Sequence, residues 1–530
     1  MQQMKKILLR SVATAVLAAA SGSFASTRPN IIMFLVDDLG WNHISSPAAT
    51  LGNVHEVVHT PHIAQLAENG LSFTHAYASP NCAPTRAAML TGQYSARKNN
   101  QVYAVLSLNR YDRKGGVTEE QAKFRGPEQT MDVAVEAVTV AEALKKNGYT
   151  TAHLGKYHCG GHDSQDTMPE NAGFDINVGG WKKGHHNACF AKKKGDKWAF
   201  GNLGLGAFTP YAAPYDQAYV REHGFPDSLI GTPKHVSDAV GDAMEDTIEK
   251  LAAGANPFYF QFHTFAVHGP LGARPDLKAA ARARLGADAD DEAVEYSGFL
   301  SSVDLNLKRL LAAVNDPNGD GDTSDSIKDN TLILFSSDNG AAFQGAAPLR
   351  GHKGMFTEGG LRVPLIAYWP GKIAAGTVTD RMVYSTDFYP TYLDLAGATW
   401  RPDPATHPLD GESFAEVLMN PTLKKNREPI YYLFPGYLDK KRATPCVVTL
   451  DQVGGKRYKL FYFYETNSRE LYCLSDDIGE EKDIFAENPE IVSVLARKTD
   501  AWLRQQDSTW KPVFPIHKKT GKSAGPPPVL

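Results

Sequence analysis

The order of apolar and polar positions along the chain predicts strands that alternate with helices. An apolar run at residues 30–36 is typical of a strand buried on both faces, as in a parallel sheet. Similar runs follow at residues 149–154, 258–262, 331–336 and 363–369. Because helical segments separate these runs, the pattern predicts an α/β fold built on a parallel sheet.

The helical segments carry their own boundary signals. Thr60-Pro61 opens one helix, and Gly70 closes it. Thr139 and Glu142 have the spacing of a capping box, in which each side chain bonds the other residue's backbone N–H. Residues 291–314 have the amphipathic pattern of one long helix.

The pattern changes near residue 425. Short antiparallel strands are predicted at residues 431–434, 447–450, 457–464 and 470–474, followed by a helix at 491–505. We therefore expect a large α/β domain at residues 26–425 and a smaller C-terminal α+β domain, on a short antiparallel sheet, at 426–510. Residues 511–530 are rich in proline, lysine and glycine, and we expect a loosely held tail.

The first 25 residues have the pattern of a secretory signal. Lys5, Lys6 and Arg10 make a basic start, and a short apolar run follows at residues 11–20. Ser23-Phe24-Ala25 places small residues at the two positions that a signal peptidase reads. A membrane anchor is the alternative, but the run is too short to span a bilayer. We expect cleavage after Ala25 and an exported protein, periplasmic or secreted, without stable membrane association.

Composition and net charge favour some classes of function over others. The chain has 530 residues, with 55 basic and 59 acidic side chains and a net charge of −4. This balance is ordinary for a soluble enzyme and gives no sign of a nucleic-acid-binding surface.

The chain has five cysteines: Cys82, Cys159, Cys189, Cys446 and Cys473. If chemistry consumes Cys82, the other four could form disulfides in an oxidising compartment, or they could remain buried free thiols. Their spacing does not choose between these two states.

Polar side chains follow two of the predicted strands directly. Asp37-Asp38 comes after the first strand, and Asp338-Asn339 comes after the strand at residues 331–336. Ligands of open α/β sheets bind at the carboxyl ends of the strands, and three carboxylates with an amide oxygen suit Ca²⁺ or Mg²⁺. Either pair alone could simply cap a helix or turn, but two pairs at matching strand ends favour a metal site.

A cysteine lies at the predicted start of a helix within residues 81–92. Pro84 suits the first helical turn, which places Cys82 at the N-terminus, where the helix dipole favours an anion. Arg86 lies four residues further on and shares roughly the same face. A cysteine at such a position is ordinarily a small buried residue. The motifs around it point instead to chemistry.

The run Cys82-Ala83-Pro84-Thr85-Arg86, followed by Leu90-Thr91-Gly92, resembles the signature of the formylglycine-dependent type I sulfatases of the alkaline phosphatase superfamily. The resemblance covers nearly all of the chain after the signal. Further motifs occur in the family's order: Arg28-Pro29-Asn30, Asp37-Asp38-Leu39-Gly40-Trp41, Gly155-Lys156-Tyr157-His158, Ala266-Val267-His268-Gly269-Pro270, Ser337-Asp338-Asn339-Gly340, Gly351-His352-Lys353-Gly354, Glu358-Gly359-Gly360 and Glu470-Leu471-Tyr472.

The resemblance implies a large mixed, mostly parallel sheet flanked by helices, and a specific nucleophile. In that family a maturation enzyme oxidises the signature cysteine to formylglycine, whose hydrate attacks the sulfate ester. Cys82 would be that precursor. One Ca²⁺ ion would be held at Asp37, Asp38, Cys82, Asp338 and Asn339.

The resemblance also implies roles for charged residues. Arg86 would stabilise the hydrated aldehyde. Lys156 and Lys353 would bind sulfate oxygens. His158 and His268 would move protons, although either could instead be a passive sulfate ligand.

Two features depart from the family pattern. Thr85 stands where the signature most often has serine, but it keeps the hydroxyl. The His268 segment lacks the His-x-Pro-His form that is common in relatives. We choose His268 over His263 because it directly precedes Gly269-Pro270, and we expect His263, inside a predicted strand, to be a core or supporting residue.

Other polar residues allow more than one interpretation. Residues 316–322 resemble half of a calcium loop, but Ile327 occupies the twelfth position, where an EF-hand needs glutamate. A solvated turn is the alternative to a second metal. Four histidines could line a substrate pocket or serve as structural residues, and His352 is favoured because it adjoins Lys353: His162, His185, His186 and His352.

The sequence therefore predicts a sulfatase that acts on sulfated carbohydrate, such as poly- or oligosaccharides, and that depends on a formylglycine-generating maturation enzyme. Within enzymes, the alternative is a phosphonate monoester or phosphodiester hydrolase of the same superfamily. The non-enzyme alternative is a non-catalytic protein that binds sulfated glycans, which should lack one or more of the polar residues above.

Overall fold

A computed structural model describes residues 28–112, 116–423, 425 and 427–528. The predicted signal segment lies outside the described residues. Among the described residues, no helix combines the length and the apolar composition that crossing a membrane requires.

A large mixed sheet forms the centre of the molecule. Its strands, in chain order, are β1 Asn30–Val36, β2 Leu71–Tyr77, β3 Thr150–Gly155, β4 Ile176–Val178, β5 Phe258–His263, β6 Thr331–Ser337, β7 Arg362–Tyr368, β8 Thr377–Thr379 and β9 Val383–Tyr384. Their spatial order is β8-β2-β7-β6-β1-β5-β3-β4, and β9 also pairs with β2. Strand β7 runs antiparallel to β2 and β6, and the other pairings are parallel. The predicted mostly parallel sheet is confirmed.

Helices cover both faces of this sheet. The α-helices of the described residues are α1 Pro61–Glu68, α2 Cys82–Thr91, α3 Val140–Lys146, α4 Gln217–Glu222, α5 Val236–Ala252, α6 Pro275–Leu285, α7 Asp291–Asn315, α8 Glu358–Leu361, α9 Phe388–Leu395, α10 Ala415–Met419 and α11 Pro489–Leu503, the last of which packs on the C-terminal sheet instead. Alternate residues of β1 enter two cores. Ile32 and Phe34 pack in the core of α1, α5 and α7, whereas Met33 and Leu35 pack in the core of α2, α3 and α9.

A four-stranded antiparallel sheet follows in the C-terminal part of the chain. Its strands are β10 Ile430–Phe434, β11 Cys446–Val453, β12 Lys456–Phe463 and β13 Ser468–Cys473, paired in that order. Leu460 and Leu471 on one face pack against α11. The predicted short antiparallel sheet and helix are confirmed, and the domain boundaries at 425/426 and 510/511 stay predictions.

The described part of the C-terminal tail is docked, contrary to our expectation of a loosely held segment. Ile516–His517 pairs with the two-residue strand Phe124–Arg125, and the Tyr464 hydroxyl donates a hydrogen bond to the Gly525 carbonyl. The expectation rested on composition, which does not show that these backbone groups find partners elsewhere in the chain.

All five cysteines are buried and unpaired in the described structure. Of the two states that the sequence left open for Cys159, Cys189, Cys446 and Cys473, the structure has the free thiols.

Candidate active site

Four neighbouring parallel strands end at one edge of the large sheet and deliver polar side chains there. Asp37 follows β1, Asp338 follows β6 and Lys156 follows β3, while His263 is the last residue of β5. Because β6, β1, β5 and β3 are consecutive in the sheet, these residues meet in one place.

The acidic residues and the amide form a buried oxygen cluster. The Asp38 backbone N–H donates to Asp338 Oδ1 at 3.1 Å, and Asn339 Nδ2 donates to Asp38 Oδ1 at 2.9 Å. Asp37 Oδ1 and Asn339 Oδ1 are buried without a hydrogen-bond partner among the described residues. Unpartnered buried oxygens of this kind fit a hard cation, because a cation supplies the charge that no donor supplies here.

Two lysines face this cluster. Lys156 Nζ lies 2.7 Å from Asp37 Oδ2, and Lys353 Nζ lies 2.5 Å from Asp38 Oδ1. Burial is the largest influence on Lys353 and disfavours its charge, but the surrounding acidic groups, Asp38 foremost, together outweigh burial and raise the pKa of that lysine. Burial raises the pKa of Asp37 well above its usual range, in spite of Lys156. The site therefore holds both signs of charge away from water.

Cys82 is the first residue of α2, as predicted, and its thiol faces the oxygen cluster. Its Sγ, one carboxylate oxygen of Asp37 and one of Asp338 all lie within 4.8 Å of one another. Burial raises the pKa of the Cys82 thiol, so the thiol form is favoured. The Thr85 hydroxyl accepts a hydrogen bond from the Ser79 backbone N–H at 2.9 Å, which holds the chain just before the helix.

Arg86 ties the helix to the strand ends. Its Nε and Nη2 lie 3.0 and 2.8 Å from Asp338 Oδ2, and Nη1 donates to the Lys156 carbonyl. Nη1 also lies 3.0 Å from Nδ1 of His263, which is buried. The buried His263 ring thus helps to hold the Arg86 guanidinium in position, in agreement with the expectation that His263 is a core or supporting residue.

The two predicted proton-transfer histidines occupy different surroundings. His158 is buried, with Nδ1 3.3 Å from Cys82 Sγ, and burial together with Lys156 lowers its pKa well below the usual range. His268 keeps 26% of its side chain exposed, and its Nε2 lies 3.8 Å from Asp38 Oδ2. Burial lowers the pKa of His268 to about 4, although Asp38 opposes this shift.

Two residues that sequence reasoning did not single out, Trp181 and Gly184, hold His158 in place. The His158 N–H donates to the Trp181 carbonyl at 3.0 Å, and a Cβ on Gly184 would lie 2.3 Å from the His158 ring. No spacing pattern points to Trp181 or Gly184, because their contacts depend on how the loop returns to the sheet.

Of the four other histidines considered in the sequence, one lies at the solvent-exposed edge of the site, which we call its rim. The other three make hydrogen bonds that hold local structure. His185 is exposed, and its ring stacks on His268 at a centroid distance of 5.9 Å. His162 bonds Asp132, His186 is buried against Pro270, and His352 Nδ1 lies 3.0 Å from the Lys353 carbonyl.

The half calcium loop is an exposed turn in which both carboxylate oxygens of Asp316 accept hydrogen bonds from the loop's own backbone, at Gly319 and Gly321. These bonds favour the solvated turn over a second metal at residues 316–322.

Comparison with known proteins identifies relatives over nearly the whole chain. The profile of the sulfatase family matches residues 29–398, and that of the C-terminal region of N-sulphoglucosamine sulphohydrolase matches residues 351–506. A sulfatase from Formosa agariphila is 37% identical over 530 residues, covering 95% of this chain and 94% of its own. The N-acetylgalactosamine-6-sulfatase of Canis lupus familiaris is 30% identical, covering 88% of this chain and 77% of its own.

A solved structure shares the architecture. The crystal structure of Ps i-CgsB in complex with k-i-k-neocarrahexaose has a TM-score of 0.66 and 25% sequence identity, covering 92% of this chain and 95% of that one. The sheet order and the relatives define an enzyme of alkaline phosphatase-like fold. More narrowly, the chain belongs to the sulfatase family, and it is a sulfuric ester hydrolase.

Proposed function

We propose that this enzyme hydrolyses sulfate esters of sulfated carbohydrates, with a formylglycine nucleophile made from Cys82 and one Ca²⁺ ion. Two relatives support the substrate class, since one is named for N-acetylgalactosamine 6-sulfate and another was solved with a neocarrahexaose. We also infer export of the chain from the pattern of its first 25 residues.

The calcium ion would be held by Asp37, Asp38, Asp338 and Asn339, together with the modified Cys82. The unpartnered oxygens of Asp37 and Asn339 support this assignment. When bound, the ion would neutralise negative charge on a sulfate oxygen. Carboxylate and amide oxygens are the ligands that calcium prefers.

The observation that carries the proposal is the position of Cys82. Its Sγ lies between the oxygen cluster and His158, at the N-terminus of α2, where the helix dipole favours an anion. Arg86 lies one helical turn further along α2, and its guanidinium group forms an ion pair with Asp338. A formylglycine hydrate at this place would have a base on one side and cationic groups on the other.

The two histidines would act at different stages. His158 touches Cys82, so we assign it the removal of a proton from the modified residue, which lets the enzyme return to the aldehyde. His268 lies on the exposed side, beside the Asp38 carboxylate, which favours its protonated form against the effect of burial, so we assign it the protonation of the departing alcohol oxygen. Lys156 and Lys353 would bind the sulfate oxygens.

Mass spectrometry and turnover together test the proposal. When the enzyme is produced with a formylglycine-generating enzyme, the peptide containing Cys82 should show sulfur replaced by oxygen. That protein should hydrolyse an aryl sulfate, whereas Cys82→Ala should fold but show no turnover. Full activity with an unmodified thiol would contradict the proposed nucleophile.

The same preparation separates the competing functions. Higher kcat/KM on an aryl phosphonate than on an aryl sulfate would favour the phosphonate hydrolase. A catalytically silent glycan-binding protein would turn over neither ester. The presence of every polar residue that the signature requires argues against this last function.

A further inference from the structure

A short hairpin near the active site carries an unusual concentration of positive charge. Lys192–Lys194 pairs antiparallel with Lys197–Ala199, and we call residues 192–199 the lysine hairpin. Its four lysines are exposed, although the whole chain has a net charge of −4. In the part of the chain that the structure describes, no ion pair joins a carboxylate to any of them.

The charge is arranged on one face of the hairpin. Lys194 is directly opposite Lys197, and Lys192 is two residues from Lys194, so these three side chains share a face. The remaining lysine is opposite Trp198, which packs towards the core of α5 and α7. Like charges directly opposite each other in a hairpin are destabilising. This face therefore concentrates charge at a cost in stability.

The hairpin begins close to the rim of the active site. Cys189 Sγ lies 3.4 Å from the Pro270 carbonyl, and Pro270 is two residues after His268. Lys192 follows Cys189 by three residues, a stretch that reaches at most about 10 Å.

The other end of the hairpin returns to the same rim. Asn202, three residues after Ala199, accepts a hydrogen bond from Lys183 Nζ at 3.1 Å. Lys183 precedes His185 by two residues, and His185 stacks on His268. The chain just before the lysine hairpin thus contacts Pro270, and the chain just after it contacts Lys183, so each end lies near a different segment that leads to His268 or His185.

We propose that the lysine hairpin is a secondary binding site for a sulfated polysaccharide, which contacts sulfate groups on sugar units beyond the one being desulfated. The inference rests on the proposed function, because it takes the polymer to be the substrate. Regularly spaced sulfates complement the row of ammonium groups, which outnumber the one carboxylate of the hairpin, Asp196, and such exposed charges act mainly within a Debye length of about 8 Å. The hairpin would thereby favour polymers over short fragments.

Binding and catalysis are measured separately to test this. The triple variant Lys192→Gln, Lys194→Gln and Lys197→Gln removes the charged face. The matched control replaces three exposed lysines of the C-terminal segment by glutamine: Lys511, Lys519 and Lys522. Affinities for chondroitin 6-sulfate and ι-carrageenan are measured in a Cys82→Ala background, so that no turnover occurs, at several salt concentrations.

We expect the triple variant to bind both polymers about tenfold more weakly, with a shallower salt dependence, while the control binds normally. In active enzyme the triple variant should raise KM for the polymer and leave kcat/KM for a small aryl sulfate unchanged. Its thermal midpoint should not fall, since like-charge repulsion is relieved.

Three results would overturn the inference: unchanged polymer binding by the triple variant, an equal loss in the control, or equal affinity of the lysine hairpin for desulfated chondroitin or duplex DNA. The last result would make the hairpin an unselective polyanion surface. Failure of formylglycine-containing enzyme to hydrolyse any sulfate ester would instead reject the proposed function, and the binding measurements would still decide whether the hairpin holds sulfated polymer.

Discussion

Replacing Lys459 by methionine should strongly destabilise the enzyme without touching the active site. Lys459 lies on β12, and its Nζ is 2.6 Å from Glu358 Oε1 and 3.0 Å from Glu480 Oε1. All three side chains are fully buried. Glu358 begins α8, five residues after Lys353, so this ion pair network joins the C-terminal sheet to the segment that carries a site lysine.

The magnitude follows from what the substitution leaves behind. In the Lys459→Met variant, the Glu358 carboxylate would still contact the Tyr77 hydroxyl at 3.1 Å and Arg362 at 3.5 Å. In that variant, among the residues that the structure describes, the Glu480 carboxylate would retain only the Glu358 backbone N–H at 2.7 Å and a distant Arg350 at 3.8 Å. Removing one partner of a buried ion pair costs about 3–5 kcal/mol, because an uncompensated charge stays buried.

Urea denaturation followed by tryptophan fluorescence measures the free energy of unfolding. The control is Lys456→Met on the same strand, where the partner Asp476 and the lysine are both largely exposed, and stability should change little. Adding Glu480→Gln to Lys459→Met should recover much of the loss, because it removes the stranded charge. If Lys459→Met and Lys456→Met unfold at the same urea concentration, the reasoning about this network is wrong.

Three further outcomes test the site. His158→Ala should release about one alcohol per enzyme and then stop, as seen by rapid quench, and steady turnover would contradict its role. His268→Ala should slow sugar sulfates by about 10²–10⁴-fold but activated aryl sulfates much less, because a phenolate needs little protonation; equal losses would refute this. Calcium at a hundred times its Kd should stabilise the folded enzyme by about 2.7 kcal/mol in thermal denaturation, and Asn339→Ala should weaken that effect. If calcium does not stabilise the unmutated enzyme against thermal denaturation, the proposed metal site is wrong.

Much of the fold could be predicted because several strands are buried on both faces. The predicted run at 30–36 coincides with β1, and the predicted capping box at Thr139 and Glu142 is present with both hydrogen bonds. By contrast, β2 was not predicted: Ser72 and Thr74 interrupt its apolar residues, so it has no continuous apolar run, yet both are buried. The pattern of apolar residues along a strand also does not reveal in which direction the strand runs in the sheet. It therefore could not show that β7 is antiparallel to its neighbours.

The predicted site residues at strand ends come together because their strands are neighbours in the sheet. Asp37 and Asp338 meet for this reason, since β1 and β6 pair residue by residue to their last positions. Residues that depend on loop paths gave no such signal. Gly184 contacts the site only because its loop passes against the His158 ring, and Asn202, just after the lysine hairpin, meets Lys183 only through the path of the same loop.

The charge balance of the site explains why so many of its residues must be present together. Three carboxyl groups face three cationic side chains, all buried, so the cluster is close to neutral when all three carboxyl groups are ionised, which burial opposes at Asp37 by raising its pKa: Asp37, Asp38, Asp338, Arg86, Lys156 and Lys353. Losing any one of them leaves a buried charge unopposed. A divalent cation alone would likewise tip the cluster to positive, and a sulfate ester alone would tip it to negative. If the proposed calcium ion and a sulfate ester both bind here, each would lower the electrostatic cost of binding the other, and by linkage each would raise the other's affinity.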